Sequence, residues 1–245
     1  MKSFGLIGFP LGHSFSKKYF DNKFLKESIP GCTFELFSME NLSGFINLKE
    51  SNSMLSGLAV TIPFKEQIIP YLDSLHDVAS TVGAVNCIKI NQGKCIGYNT
   101  DVIGFELSFV PLRKTHHNKA LILGSGGVSK AVQYVFKKIG VEYTIVGRKE
   151  SPQENITSYS FIDASMIQSH QVIINCTPIG SYPLQEEKPL LPYEHIGKQH
   201  LLFDMGYNPD NSLFLQEGEK AGAVTKNGLD MLMIQAEENW KIWNS

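Results

Sequence analysis

The chain has 245 residues, 42% of them hydrophobic and 19% charged, and 22 Lys and Arg against 24 Asp and Glu leave a formal net charge of −2. This soluble globular composition argues against nucleic acid as a main partner, because a near-neutral balance supplies no basic field for a phosphate backbone. No apolar run approaches the roughly 20 residues that cross a bilayer, so no membrane partner is expected.

A chain of this length buries roughly 70–75% of its unfolded surface, enough for one large domain or two of about a hundred residues without staples. The four cysteines, Cys32, Cys87, Cys95 and Cys176, lack zinc-ligand spacing and read as reduced thiols, with no metal site expected. The apolar stretch from Phe4 to Leu11 is short and has no small-residue cleavage pattern after it, so a cytoplasmic protein is expected.

In chain order, Ser3–Phe9 reads as a strand and Ser16–Glu27 as a helix. Thr33–Phe37 is then a strand, Asn41–Lys49 a helix, Gly57–Ile62 a strand and Pro63–Leu72 a helix. Such alternation predicts a parallel α/β sheet. Val85–Ile90 and Lys94–Tyr98, joined through Asn91-Gln92-Gly93, predict a hairpin and so make the sheet mixed. After a helix at Thr100–Val110, the polar cluster Arg113–Lys119 leads into a second α/β series. Its strands are Lys119–Leu123, Glu142–Gly147, Val172–Cys176 and Leu201–Asp204, with a helix at Val128–Ile139 and a surface loop at Ser181–Lys198. Leu229–Trp243 is a final helix, read as returning to the first domain.

Gly124-Ser125-Gly126-Gly127 lies between a strand and a helix, where glycine lets backbone N–H groups approach a pyrophosphate. The GxGxxG spacing is incomplete, since Ser129 stands where the last glycine would fall. A glycine-rich turn without a ligand, or a phosphate site for another adenosine-containing molecule, is the alternative. Arg148 and Lys149 follow the next strand, where an NAD site would place a carboxylate, so a 2′-phosphate and hence NADP is favoured over a merely solvated cationic loop.

Gly8-Phe9-Pro10-Leu11-Gly12-His13-Ser14-Phe15-Ser16 leaves a strand and enters a helix, placing two hydroxyls where a small carboxylate could bind. Helix capping by Ser14 or Ser16 is the other reading, and His13 is read as a structural group. Lys65, in Thr61-Ile62-Pro63-Phe64-Lys65, would sit in a first helical turn at the ligand-gathering edge of the sheet, or be an ordinary surface charge. Asn86 and Asp101 lie in two further polar segments. Gln235 falls at the edge of the apolar face of the last helix, where a core hydrogen bond is the alternative to a ligand contact.

Taken in order, GFPLGHSFS, AVTIPFK, GAVNC, GYNTDVIGF, GSGGVSKA, NCTPIG, FDMGYNP and NGLDMLMIQ resemble the shikimate dehydrogenase family over essentially the whole chain. The resemblance implies an α/β fold of two domains with a cleft between them. One is an N-terminal substrate domain with a mainly parallel mixed sheet, at 1–101 with the C-terminal helix 229–245; the other is a Rossmann-like NADP-binding domain at 102–228. It implies NADPH-linked interconversion of 3-dehydroshikimate and shikimate, in the route to aromatic amino acids.

Position by position, Ser14 and Ser16 resemble the carboxylate-binding hydroxyls, with Thr61, Asn86, Asp101, Tyr207 and Gln235 around the ring, and Lys65 and Asp101 the catalytic pair. On the cofactor side the match implies Gly124, Ser125, Gly126, Gly127 and Val128 for the pyrophosphate. Arg148 and Lys149 would hold the 2′-phosphate, Met205 and Gly228 flank the nicotinamide, and Asp77 lie near the cofactor. The small-molecule substrate is the expected partner, and the chain is expected to be a monomer or homodimer.

Three departures stand out: Cys87 for threonine beside the site, Gly147 for asparagine before Arg148, which would remove an adenosine contact, and Ser212 for threonine. None is expected to abolish activity. Ketone reduction leaves negative charge on oxygen, so an ammonium at Lys65 suits a proton donor in reduction and a neutral Lys65 the base in oxidation, with Asp101 coupled to it. The rivals are a quinate/shikimate paralogue using NAD and a non-catalytic dinucleotide-binding metabolite sensor. Ser14, Ser16 and Arg148 favour shikimate and NADP over the first, and a pure sensor needs no proton donor at Lys65.

Overall fold

The computed structural model describes residues 1–12 and 14–245, with the backbone alone at Glu154; His13 and its expected structural role lie outside the described residues. The chain divides into one unit of Met1–Thr100 with Gln235–Ser245 and a second of Asp101–Ile234. Among the described residues no helix is long and apolar enough to cross a membrane.

The first unit comprises β1 (Lys2–Gly8), α1 (Phe15–Lys26), β2 (Cys32–Ser38), α2 (Ser43–Ser51), β3 (Leu55–Val60), β4 (Ser74–Leu75), α3 (Asp77–Val82), β5 (Cys87–Asn91) and β6 (Lys94–Tyr98). Its sheet runs β2-β1-β3-β5-β6-β4. β1 is parallel to β2 and β3, whereas β5 is antiparallel to both neighbours, which makes the sheet mixed as expected. The β5–β6 turn places Gln92 and Gly93 at φ of 50° and 75°, the doubly left-handed pair whose twist matches a tight hairpin.

Side chains alternate between the two faces of these strands, and each face builds a core. Ile7, Leu58, Val60, Phe64, Ile68 and Ile88 pack into one cluster. Phe4, Leu6, Phe20, Phe34, Ala59, Cys87 and Trp243 pack into the other. Trp243 stacks on Phe4 with centroids 4.9 Å apart and donates its indole N–H to the Ile88 carbonyl at 3.0 Å. A Cβ at Gly57 would collide with that indole, so the strand is bare where the last helix crosses it.

The helix expected at Pro63–Leu72 does not form. Consecutive turns replace it, closing with a short 3₁₀ segment at Ile69–Tyr71, so Lys65 is not in a first helical turn. Two causes are visible. The Lys65 carbonyl accepts from Val85 N–H at 2.7 Å while Ile69 N–H turns to Glu66 at 3.3 Å, and Pro70 has no N–H with which to continue a helix.

The second unit comprises α4 (Asp101–Phe109), β7 (Lys119–Leu123), α5 (Gly127–Ile139), β8 (Glu142–Gly147), β9 (Ile156–Ser158), α6 (Ala164–Ser169), β10 (Val172–Asn175), β11 (Leu201–Asp204), α7 (Leu213–Lys220), β12 (Val224–Lys226) and the start of α8 (Leu229–Asn244). All its strands are parallel, in the order β12-β11-β10-β7-β8-β9. The chain winds outward from β7 in both directions, so the carboxyl ends of β7 and β10 flank the switch point where such sheets bind ligands. α4 seats Phe105 and Phe109 against Phe136 of α5, at 5.6 and 5.3 Å between centroids.

His117, buried beside this sheet, accepts from Lys114 N–H through Nδ1 at 3.1 Å and sets Nε2 3.0 Å from the Gln199 carbonyl, a pattern that only the neutral Nε2–H ring satisfies. Burial holds its pKa below the ordinary histidine value, the Gln199 bond offsetting only part of that; His170 is shifted the same way, again chiefly by burial. A lowered folded value contributes stability that is complete above the unfolded pKa of about 6.5 and is lost as pH falls through the folded one. Tm is therefore expected to fall on acidification from about pH 8 to about pH 5, with a shallower slope in His117→Gln. Melts of both proteins across that range check this, and an unchanged slope in the variant would assign the acid sensitivity elsewhere.

Candidate active site

In the first unit, four chain segments converge on one edge of the sheet. β1 and β3 end there and lead into Ser14–Ser16 and Thr61–Lys65. Because β5 runs antiparallel, its start brings Asn86 beside Val60, whose N–H donates to the Asn86 carbonyl at 2.8 Å. β6 ends at the same edge with Asn99 and Thr100.

Ser14 occupies the N-cap position of α1 in extended backbone, yet its side chain makes no cap bond. Its hydroxyl is buried and has no hydrogen-bond partner among the described residues. Capping by Ser14 is thus excluded. Thr61, Lys65 and Ser16 are half-buried.

Asn86, Thr100, Gln235 and Asn239 form a closed polar ring. Thr100 N–H donates to Asn86 Oδ1 at 2.6 Å, and Asn86 Nδ2 donates to Thr100 Oγ1 at 3.0 Å and to Gln235 Oε1 at 3.5 Å. Thr100 Oγ1 donates to Asn239 Oδ1 at 2.7 Å, and Asn239 Nδ2 donates to Gln235 Oε1 at 3.2 Å. Thr100 lies in GYNTDVIGF with no role of its own suggested there, and no pattern singles out Asn239, although it lies one helical turn after Gln235, a spacing that brings two side chains together.

Cys87, next to Asn86, is fully buried in the core cluster with Trp243, and burial pushes its thiol well above the ordinary range. Asp77 is exposed at the first position of α3.

In the second unit, Gly124 ends β7 at φ +99°, a conformation that side chains resist, and donates its N–H to Val146 at 2.8 Å. A Cβ there would lie 3.1 Å from Thr177 after β10, so the two loops at the switch point touch. Gly126 is the N-cap of α5, and a Cβ on it would meet nothing within 4 Å. Gly127 and Val128 open α5, where first-turn N–H groups point outward without helical acceptors. A bare backbone facing open space before a helix N-terminus fits a pyrophosphate. Ser129, in place of the last glycine, is fully buried and accepts from Gln133 at 3.2 Å.

Arg148 and Lys149 are exposed just past β8. Gly147 has a structural reason: a Cβ there would sit 2.7 Å from Ile156 Cγ2, so asparagine would require Ile156 to move.

Asp101, buried, opens α4. Met205 and Tyr207 follow β11 and are half-buried, and Gly228 N–H donates to the Gly206 carbonyl at 2.9 Å. Behind them is the carboxylate of the FDMGYNP segment, a residue for which the sequence suggests no role. Asp204 is 1% exposed and accepts from Gly206 N–H at 2.9 Å, Asn175 Nδ2 at 3.1 Å and Ser212 Oγ at 2.6 Å. It thereby ties the loops after β10 and β11 together, and the hydroxyl of Ser212 does this without threonine's methyl group. Burial raises its pKa, although all three bonds oppose the shift.

Residues 6–88 match the family model of the shikimate dehydrogenase substrate binding domain. The chain is 38% identical over 259 residues to a shikimate dehydrogenase (NADP(+)) of Methanococcus maripaludis, covering 99% of this chain and 91% of that one. The crystal structure of a shikimate dehydrogenase from Aquifex aeolicus superposes with a TM-score of 0.88 at 33% identity, over 100% of this chain and 92% of that one. A Thermus thermophilus shikimate 5-dehydrogenase in complex with NADP(H) and shikimate gives a TM-score of 0.86 at 25% identity, covering 99% and 93%. Fold and glycine loop thus fit a dinucleotide-binding α/β protein, and the relatives make it an oxidoreductase. The chain belongs to the shikimate dehydrogenase family.

Proposed function

We propose that the protein catalyses the NADP-linked interconversion of 3-dehydroshikimate and shikimate, with the first unit holding substrate and the second holding cofactor. One observation on this chain's own residues carries the substrate side: the Ser14 hydroxyl, buried and partnerless among the described residues at the start of α1. A lost hydrogen bond of this kind is costly unless a ligand restores it, and a carboxylate is the acceptor that a hydroxyl near a helix N-terminus favours.

The bound cofactor supplies and accepts the hydride. Gly124 to Val128 offer backbone N–H groups to its pyrophosphate, Arg148 and Lys149 hold the 2′-phosphate, and Met205 and Gly228 border the nicotinamide, with Asp77 near the cofactor. Ser14 and Ser16 fix the substrate carboxylate, and Thr61, Asn86, Tyr207 and Gln235 orient its hydroxyls. Lys65 gives a proton to the developing alkoxide in reduction and takes it from the alcohol in oxidation. Asp101 holds that hydroxyl in line and keeps the proton available. Support for these roles is the family's motif order and the gathering of Thr61, Lys65 and Asn86 at one sheet edge. The chain works as a monomer or homodimer, which sedimentation velocity distinguishes.

Ser14→Ala tests the substrate assignment. Loss of a hydrogen bond to a charged group is expected to raise the KM for shikimate by about 10-fold or more, with kcat and the KM for NADP little changed. Initial rates read this, and an unchanged shikimate KM would remove Ser14 from the carboxylate site.

A further inference from the structure

Asn175 and Asp204 are the last residues of the neighbouring parallel strands β10 and β11, paired in register, and Asn175 Nδ2 donates to Asp204 Oδ1 at 3.1 Å. An asparagine amide can be turned by half a turn with almost no change of shape, so its partners decide its orientation. Here the Thr177 backbone N–H, 3.1 Å from Oδ1, requires an oxygen, which directs Nδ2 to the Ile179 carbonyl at 2.9 Å and to Asp204. Both side chains are buried.

From this pair the bonds run two ways. Asn175 Oδ1 also accepts the Thr177 hydroxyl at 2.6 Å, and Thr177 lies against Gly124, the first glycine of the pyrophosphate loop. In the other direction Asp204 Oδ1 accepts from Gly206 N–H, and the Gly206 carbonyl accepts from Gly228 N–H, both at 2.9 Å. A Cβ on Gly228 would collide with the Met205 carbonyl, so these two backbones are in direct contact. Met205 is tied to the pair a second time, through its N–H to the Asn175 carbonyl at 3.0 Å. All of these residues belong to the second unit.

We infer that Asn175 and Asp204 are positioning residues, a buried strut that sets the Met205 and Gly228 backbones relative to the Gly124 loop and thereby the nicotinamide relative to the pyrophosphate. The inference rests on the reading of the cofactor residues given above. Hydride transfer is sensitive to such placement, since a shift of about 1 Å can cost about 10²-fold in rate. A buried, mutually bonded pair at two strand ends specifies one arrangement of loops that backbone alone would leave several. Being buried, the two act through Thr177, Gly206 and Gly228 and not by touching the cofactor. Arg148 and Lys149 follow β8, beyond β7 from both members of the strut, and so provide a control.

The test uses initial rates with shikimate and NADP, inhibition by adenosine 2′-phosphate, and a melting curve for each protein. That inhibitor carries the 2′-phosphate but neither pyrophosphate nor nicotinamide. Asp204→Ala is expected to raise the KM for NADP about 5-fold or more and to lower kcat, while the inhibition constant of adenosine 2′-phosphate and the KM for shikimate stay within about 2-fold of the parent values. Asp204→Asn keeps an oxygen for Gly206 and Asn175 and should recover most of the loss. An unfolded fraction would lower kcat and leave each KM where it was. An unchanged KM for NADP in folded Asp204→Ala, an inhibition constant raised by the same factor, or an Asp204→Asn protein as impaired as Asp204→Ala would overturn the inference. If the parent protein neither turns over NADP nor is inhibited by adenosine 2′-phosphate, the cofactor reading fails first and takes the strut with it.

Asn175→Ala provides a second route should Asp204→Ala fold poorly, because Thr177 and Ile179 are half-buried and can turn to water. It removes the other member of the strut and leaves Asp204 bonded to Gly206 and Ser212, so the KM for NADP should rise again with the inhibition constant unmoved. A KM for NADP equal to the parent's would likewise overturn the inference.

Discussion

Lys65→Ala is expected to lower kcat about 10²- to 10⁴-fold while the protein stays folded, the range by which a positioned proton donor accelerates such a step. The separation of chemistry from folding follows from how Lys65 is held. Its backbone carbonyl ties the segment to Val85, at 2.7 Å, and alanine keeps that bond. The apolar anchors of the segment are its neighbours Phe64 and Ile68, both in the core cluster. Steady-state kinetics at saturating substrate, with a melting curve alongside, check the prediction. Near-normal turnover in a folded variant would mean that the proton comes from another group.

The largest expected loss of stability is at Asp204. Alanine there leaves Gly206 N–H and Ser212 Oγ without their buried acceptor, at about 1–3 kcal/mol each and so roughly 2–6 kcal/mol together, while Asn175 Nδ2 keeps its bond to the Ile179 carbonyl. Asparagine is a different case. Its oxygen can take over the bonds from Gly206 and Asn175, and its amide can donate to Ser212, whose hydroxyl rotates to accept. Asp204→Asn should therefore cost less than about 1.5 kcal/mol. Urea denaturation of the two variants measures the contrast, and equal losses would show that the carboxylate is not the hub of these loops.

The pH sign at Asp204 is opposite to that at His117. Because burial raises its folded pKa, the native state takes up a proton before the unfolded chain does. The ionised form costs stability at neutral pH, and that cost is relieved as pH falls from the folded value toward the unfolded value of about 3.9. Asp204→Asn removes this relief, leaving the histidines as the visible part of the acid response.

Elements with regular apolar patterns are legible in the sequence. β7, β8 and β11 have the limits that their residues suggest, since each is a short apolar run bounded by turn residues in a parallel sheet. The segment after β3 shows where this fails. Phe64 and Ile68 have helical spacing, but a bond from Lys65 to the distant Val85 and the missing donor of Pro70 decide the backbone. Local pattern contains neither fact. The short β4, β9 and β12 and the helices α3, α6 and α7 are not legible either, each being too brief to show a period.

The polar residues divide along the same line. The segments that carry Ser14, Lys65, Asn86 and Gly124 announce themselves by composition at strand ends. Asp204, Asn175 and Thr100 fall in quoted segments without a legible role, and Asn239 falls in none, because what marks all four is burial and a mutual set of bonds across distant parts of the chain. Cys87 is the reverse case, a residue near the site by sequence position that strand alternation turns into the core.

The most direct test of the account is an initial-rate measurement by absorbance at 340 nm with purified protein, crossing shikimate and quinate against NADP and NAD. Fast turnover with shikimate and NADP, and little with the other three combinations, is the predicted result and would tie Arg148 and Lys149 to the 2′-phosphate. Comparable rates with quinate or NAD would contradict the proposed specificity, and cofactor binding without turnover would contradict the enzyme itself.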